Sequence, residues 1–402
     1  MKTMEREKRW AIVALASVPL IMTLGNSMLI PILPVMEEKI SISKLQSSYI
    51  ITVYSIVAII CIPIAGYLSD RFGRKVIIVP ALIIAGIGGL IAGIAAWKME
   101  NPFTFIIIGR ILQGIGASGA MPIVFPLIGD MFNKEEASAT LGVIETSNTV
   151  GKVLSPILGA ALTAVIWFLP FLAIPFFCAI SLLLIIFLIK KKEEKEEEKI
   201  TFAIYWEKVK KTFQAHKKWL IAIFIIGAIL MFILFGFLFY LSSLLEDDFH
   251  IKGVKKGLLL AIPLLALSIA SYITGKKIGN DIVKMKWIIF IGTVISGASV
   301  TVLSLERHFI YVIIIFLVCG AGIGIALPCL DALITNSLEK NVLGAITSIY
   351  SAMRFIGVAA GPPIIAILMK KTLISIVILF TCLAIITAIL AFVCIKPEKK
   401  SI

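Results

Sequence analysis

The sequence predicts an all-α membrane protein in which twelve transmembrane helices form two pseudo-symmetric six-helix bundles. Three observations lead there. Of 402 residues, 59% are hydrophobic and only 15% charged, with a mean hydropathy of +1.04, too apolar for a soluble chain of this size. Twelve apolar runs are long enough to span a bilayer. The second half of the chain also repeats landmarks of the first at a slowly drifting offset.

The runs centre near residues 10–35, 46–68, 76–97, 103–129, 141–164, 166–189, 219–244, 257–275, 287–304, 309–334, 343–369 and 373–395. Lys2, Arg6, Lys8 and Arg9 precede the first run as they would a signal peptide. No small-residue cleavage site follows, and Pro31 and Pro34 lie near the far end, so it reads as a retained helix. With both termini inside, the inner segments hold 26 Lys and Arg and the outer loops 9, which places both termini in the cytoplasm. The remaining three of the 38 cations, Arg110, Lys152 and Arg354, fall inside spans.

The net charge of +14 therefore follows membrane topology and does not point to nucleic acid. The six cysteines, at positions 61, 178, 319, 329, 382 and 394, all lie in apolar runs without C-x-x-C spacing or companion histidines, so neither a disulfide framework nor a metal site is expected. The chain divides at KKKEEKEEEK, residues 190–199, which is too charged to bury. Behind it Ile200, Ile204, Val209 and Phe213 alternate with lysines at roughly helical spacing. The expected organisation is a bundle over residues 1–189, a cytoplasmic linker with an amphipathic helix on the inner leaflet over 190–218, and a second bundle over 219–402. A plain solvated tether is the alternative for the linker.

The repeat can be followed residue by residue. Leu141-Gly142 with Lys152 matches Leu343-Gly344 with Arg354, and Gly114-x-Gly116 with Pro122 matches Gly320-x-Gly322 with Pro328. The turn at Gly66 has a weaker counterpart, GKKIGNDIVK, at Gly275. Two such bundles related by an axis along the membrane normal put a substrate site near the midplane.

The strongest motif is GYLSDRFGRK, from Gly66 to Lys75, a short turn with one acid and three cations between the second and third runs. Gly66 and Gly73 permit a tight turn, Asp70 is placed to face the positive end of a helix, and Arg71, Arg74 and Lys75 are placed for acids or headgroups. It resembles the signature G-x-L-x-D-R-x-G-R-K of the major facilitator superfamily, matched at Gly66, Leu68, Asp70, Arg71, Gly73, Arg74 and Lys75. Further similarity falls on Leu24-Gly25 with Pro31 and Pro34, and on Arg110-x-x-Gln113-Gly114-x-Gly116. Gly151-x-x-x-Ser155-Pro156-x-x-Gly159 resembles the family's antiporter pattern, with Ser155 and Ala160 standing where glycines are usual; both are small, so close helix packing survives. The resemblance implies the family's twelve-helix fold, a cytoplasmic gate at the Gly66 motif, and coupling of proton movement to the conformational cycle at Arg110.

Ionisable groups within spans are costly and mark a pathway. Glu145 and Asp331 are the acids expected to carry a proton, or else to serve as fixed ion-pair partners. For Lys152 and Arg354 two roles stand: facing a shared substrate cavity, or locking each bundle by pairing with an acid. Glu145 lies seven residues before Lys152 on one helix face, which favours a strut for Lys152; Arg354, with Tyr350 and Met353 beside it and no acid within two turns, favours the cavity. Asn26, Phe239, Tyr240 and Tyr350 complete the expected cavity.

Taken with the resemblance, these residues imply a monomeric, proton-coupled antiporter of a bacterial inner membrane that exports small amphipathic compounds by alternating access. A dedicated exporter of a metabolite such as a siderophore is the alternative, motivated by three intramembrane cations against two acids. A facilitator or uptake symporter follows. No P-loop and no grouped nucleophile and base support an enzyme, and no cofactor is expected beyond the substrate, protons and the bilayer as partners.

Overall fold

The computed structural model describes residues 2–132, 134–189, 202–279, 281–306, 308–338 and 340–395. The charged run 190–199 lies outside the described residues, as do Ile200 and the side chains of Ile204 and Val209. All regular structure among the described residues is helical: α1 (Lys2–Ser27), a 3-10 turn (Ile30–Ile32), α2 (Leu33–Lys39), α3 (Lys44–Phe72), α4 (Arg74–Lys98), α5 (Phe103–Met131), α6 (Lys134–Val165) and α7 (Leu169–Leu188) come first. Then follow α8 (Phe202–Ala215), α9 (Lys217–Asp247), α10 (Gly253–Lys277), α11 (Ile282–Thr301), a 3-10 turn (Val302–Ser304), α12 (Phe309–Ser337), α13 (Lys340–Leu368) and α14 (Leu373–Cys394). Twelve spans are long and apolar enough to cross a membrane.

The first span is not one continuous helix. Pro31 and Pro34 lack the N–H that an uninterrupted helix would use, so α1 stops at Ser27, the chain makes a 3-10 turn, and α2 begins with Pro34 in its first turn. At the start of α3, Ser43 and Gln46 form a reciprocal capping box that satisfies two otherwise orphaned amides.

The chain resolves into two compact units. The first comprises Met1–Lys199 with Leu245–Ala261, and the second Ile200–Leu244 with Ile262–Ile402. In the first, α4 shows how a membrane helix is divided. Ala81, Ala85, Ala92 and Ala96 are buried against α5 and α7, where small side chains let backbones approach closely. Ile83, Ile87, Leu90 and Ile94 are exposed on the other side, an apolar stripe suited to lipid.

Equivalent contacts recur in the second unit. Gly114 of α5 packs on the Tyr54 carbonyl of α3, and Gly320 of α12 packs on the Pro263 carbonyl of α10. Gly116 packs on Ala81, and Gly322 on Gly292 of α11. The duplicated Gly-x-Gly landmarks are thus duplicated packing contacts, each made within its own unit.

Candidate functional site

The densest polar site in the first unit surrounds Arg110, which is completely buried in α5. Its Nε donates to the Ile50 carbonyl at 2.7 Å, and Nη1 donates to the Gly25 carbonyl at 3.2 Å and to Gln113 Oε1 at 2.5 Å. Nη2 donates to Asn26 Oδ1 at 2.6 Å, and the guanidinium lies 4.4 Å from the centre of the Tyr54 ring. No carboxylate pairs with it among the described residues. A cation at the centre of a membrane helix costs about 2.5–3.5 kcal/mol on insertion scales. Hydrogen bonds to charged groups contribute about 1.5–3 kcal/mol each, so four of them offset a cost of that size. Arg110 therefore ties α1, α3 and α5 together without a counter-ion. Asn26, expected in the substrate cavity, is a buried acceptor for this guanidinium.

Around the Gly66 motif, Gly73 joins α3 to α4 with φ +96°, a conformation that excludes other residues without strain. The turn sets Arg74 at the start of α4, where it pairs with Asp70, donates to Ser69 Oγ at 2.8 Å and approaches Asp130 at the end of α5 at 3.4 Å. Lys75 donates to the Ile186 carbonyl at 2.9 Å and to that of Ile189, so its charge sits at the negative end of α7. Arg71 stacks on its neighbour Phe72 at 5.5 Å. The sequence expected Asp70 to face a helix start; the structure pairs it with the side chain of Arg74.

The motif from Gly151 to Gly159 lies on the side of α6 that packs against α1. Gly151 packs on Leu20 and Thr23 of α1, the Ser155 hydroxyl donates to the Gly151 carbonyl at 2.6 Å, and Gly159 meets the Met28 backbone with no room for a Cβ. Pro156 and Ala160 lie against Gly257 of α10, again with no room for a side chain. Above them Thr23 donates to Asn148 at 2.6 Å.

The intramembrane charges are arranged differently from the expectation. Glu145 is exposed and accepts from Asn148 Nδ2 at 3.4 Å. Arg354 is not remote from acids: its Nη1 lies 3.5 Å from Asp331 Oδ1, supplied by α12 instead of by its own helix. Both side chains stay partly exposed, at 24% and 47%. Tyr350 lies beneath Arg354 at 5.6 Å and stacks on Phe224 of α9 at 6.1 Å, while Tyr240 meets the Phe316 ring edge-on at 6.3 Å. Phe239, Tyr240 and Tyr350 are all buried.

Sequence reading also missed a charge network on the face of the first unit where α2 ends. It counted Glu246 and Lys256 as loop residues, but α9 runs on to Asp247 and α10 starts at Gly253. Lys256 Nζ lies 2.6 Å from Glu246 Oε2, with the two side chains only 2% and 7% exposed. Lys44 pairs with Asp247 at 2.5 Å, and Lys252 sits between Glu38 at 3.7 Å and Glu246 at 3.9 Å. Lys256 thus joins Arg110, Lys152 and Arg354 as a cation inside a span.

The sequence profile of the Major Facilitator Superfamily matches residues 15–362 and again 240–402. The Bacillibactin exporter of Bacillus subtilis (strain 168) is 53% identical over 390 residues, covering 96% of this chain and 97% of that protein. Multidrug resistance protein 1 of the same organism is 30% identical over 148 residues, 37% of either chain. Among solved structures, a bacterial homologue of the human lysosomal transporter Spinster superposes with TM-score 0.77 at 14% identity over 97% of both chains. The human organic anion transporter MFSD10 (TETRAN) superposes with TM-score 0.72 at 16% identity over 95% of this chain and 99% of that one. These structural likenesses concern the fold. From its profile match and its full-length relative, this chain belongs to the Major Facilitator Superfamily of membrane transporters.

Proposed function

We propose that this chain exports a siderophore of the bacillibactin kind, driven by protons, as a monomer in a bacterial inner membrane with both termini in the cytoplasm. The observation that carries the reading is the 53% identity to a bacillibactin exporter over nearly the whole of both chains. The excess of Lys and Arg in the inner segments supports the orientation. The resemblance of Gly151, Ser155, Pro156 and Gly159 to the family's antiporter pattern supports export over uptake.

Each part of the site has a role in this reading. Asp70, Arg74 and Asp130 form a gate at the α3–α4 turn, with Gly66, Gly73 and Arg71 shaping it. Arg110 fixes the relation of α1, α3 and α5 through which proton movement is linked to the cycle. Arg354, partly exposed and held at 3.5 Å from Asp331, offers guanidinium donors to an oxyanion of the substrate, with Tyr350 beneath as an aromatic floor.

A multidrug substrate range is the second reading, favoured by partial similarity to Multidrug resistance proteins 1 and 2 of Bacillus subtilis, at 30% and 28% identity. The two separate in a bacillibactin-producing strain deprived of its own exporter. Expression of this chain restores bacillibactin to the medium if the first reading holds. Resistance to a panel of toxic cations without that recovery overturns it in favour of the second.

A further inference from the structure

The buried Lys256–Glu246 pair belongs to a set of charges with unequal numbers. Four carboxylates, Glu37, Glu38, Glu246 and Asp247, face three ammonium groups, Lys44, Lys252 and Lys256, on α2, α3, the end of α9, the loop after it and the start of α10. Glu37 is the carboxylate without a lysine in contact. The charges that act on it come from three elements: Lys44 from α3, Asp247 from α9 and Lys256 from α10. Its hydrogen-bond partner is the Ser47 hydroxyl, whose Oγ lies 2.5 Å from Glu37 Oε1 and 3.0 Å from the Lys44 carbonyl.

Ser47 is completely buried and has one hydroxyl proton for these two acceptors. With Glu37 ionised, the proton serves one oxygen and leaves the other facing a lone pair. A protonated Glu37 donates to Ser47 Oγ, and Ser47 then donates to the Lys44 carbonyl, so both short contacts become hydrogen bonds. The same proton leaves three carboxylates against three ammonium groups. Two independent features, the hydroxyl geometry and the charge balance, therefore ask for one proton at one place.

We propose that Glu37 is a proton-binding site and that its proton locks the α9–α10 tip, residues 245–261, onto α2 and α3. Loss of the proton puts a negative charge on α2 opposite Asp247, which repels the tip and competes for Lys44, the α3 cation that holds Asp247. The lock therefore tightens as the medium on that face becomes acidic and loosens as it becomes alkaline. This site differs in kind from Arg354–Asp331. That pair joins α12 to α13, whereas Glu37 lies on α2 and acts on the tip.

Amide hydrogen exchange of the purified full-length protein in nanodiscs, corrected for the intrinsic pH dependence of exchange, reads the lock directly. Protection of residues 245–261 is expected to fall at least about five-fold from about pH 5 to about pH 9 in the wild type. Glu37→Gln, which keeps a neutral donor at this position, is expected to hold the tip protected throughout. Ser47→Ala, which leaves every charge in place, is expected to displace the midpoint of the profile, and it carries the test if Glu37→Gln does not fold. Corrected protection that is flat with pH in the wild type overturns the proposal. So does a Glu37→Gln profile that follows the wild type, or, where that variant is lost, a Ser47→Ala midpoint identical to the wild type.

Discussion

Arg354 of α13 reaches across to α12, where its Nη1 lies 3.5 Å from Asp331 Oδ1. The two are 23 residues apart, so the contact is invisible to any count of turns along α13. At this length, with both groups partly exposed, the ion pair contributes at most about 1 kcal/mol to stability. Arg354→Gln should therefore fold nearly as well as wild type while weakening bacillibactin binding by about ten-fold or more. Titrations in detergent check this against a cationic compound, whose affinity should be spared; an equal loss for both compounds removes Arg354 from anion recognition.

The four hydrogen bonds of Arg110 leave from Nε, Nη1 and Nη2, three separate nitrogens of a planar guanidinium, whereas an ammonium has one nitrogen and three donors. Arg110→Lys is accordingly expected to impair transport almost as much as Arg110→Gln. Each backbone or amide oxygen left without a partner costs about 1–3 kcal/mol, so a lowered melting temperature in detergent should accompany the loss in both variants.

At the turn, Asp70 and Asp130 share Arg74 unequally. Asp70 is paired with it directly, while Asp130 stands at 3.4 Å. Asp70→Asn is expected to reduce efflux strongly with normal membrane insertion, and Asp130→Asn to reduce it less. Wild-type efflux in Asp70→Asn would remove the gate role.

Helix packing gives a test with an internal control. A Cβ at Gly159 or Gly257 would strike backbone carbonyls, whereas one at Gly142 would meet nothing within 4 Å. Gly159→Ala and Gly257→Ala should each cost about 1–3 kcal/mol in apparent stability, and Gly142→Ala close to none. Thermal shifts of the three variants in one detergent decide it.

Asp281 caps α11 by accepting from the amides of Val283 at 3.0 Å and Lys284 at 3.1 Å. The Lys284 amide foremost holds its carboxyl below the usual aspartate range. A lowered folded value means that the cap's contribution is complete above the ordinary aspartate value and fades as pH falls through the lowered one. Hydrogen exchange in the first turn of α11 should therefore be faster in Asp281→Ala than in wild type at neutral pH, and the difference should shrink in strong acid.

Length, hydropathy and the duplicated glycines carried the fold, because a membrane span is a property of consecutive residues and close helix contacts need small side chains wherever they fall. The Gly66 motif was legible for the same reason: Gly73, Asp70 and Arg74 are local. The partners of the buried charges were not. Arg110 is satisfied by Ile50 and Asn26, far away in the chain, and Asp331 is brought to Arg354 by the packing of α12 on α13. Lys256 and Glu246 looked like loop charges because hydropathy falls there, yet the helices continue past them and bury the pair.

The most direct test of the account is uptake of radiolabelled bacillibactin by everted membrane vesicles under an imposed inside-acid gradient. The account predicts accumulation above the external concentration, abolished by a protonophore and not replaced by ATP when respiration and the proton-pumping ATPase are blocked. Equilibration without accumulation, or accumulation indifferent to the gradient, would contradict it.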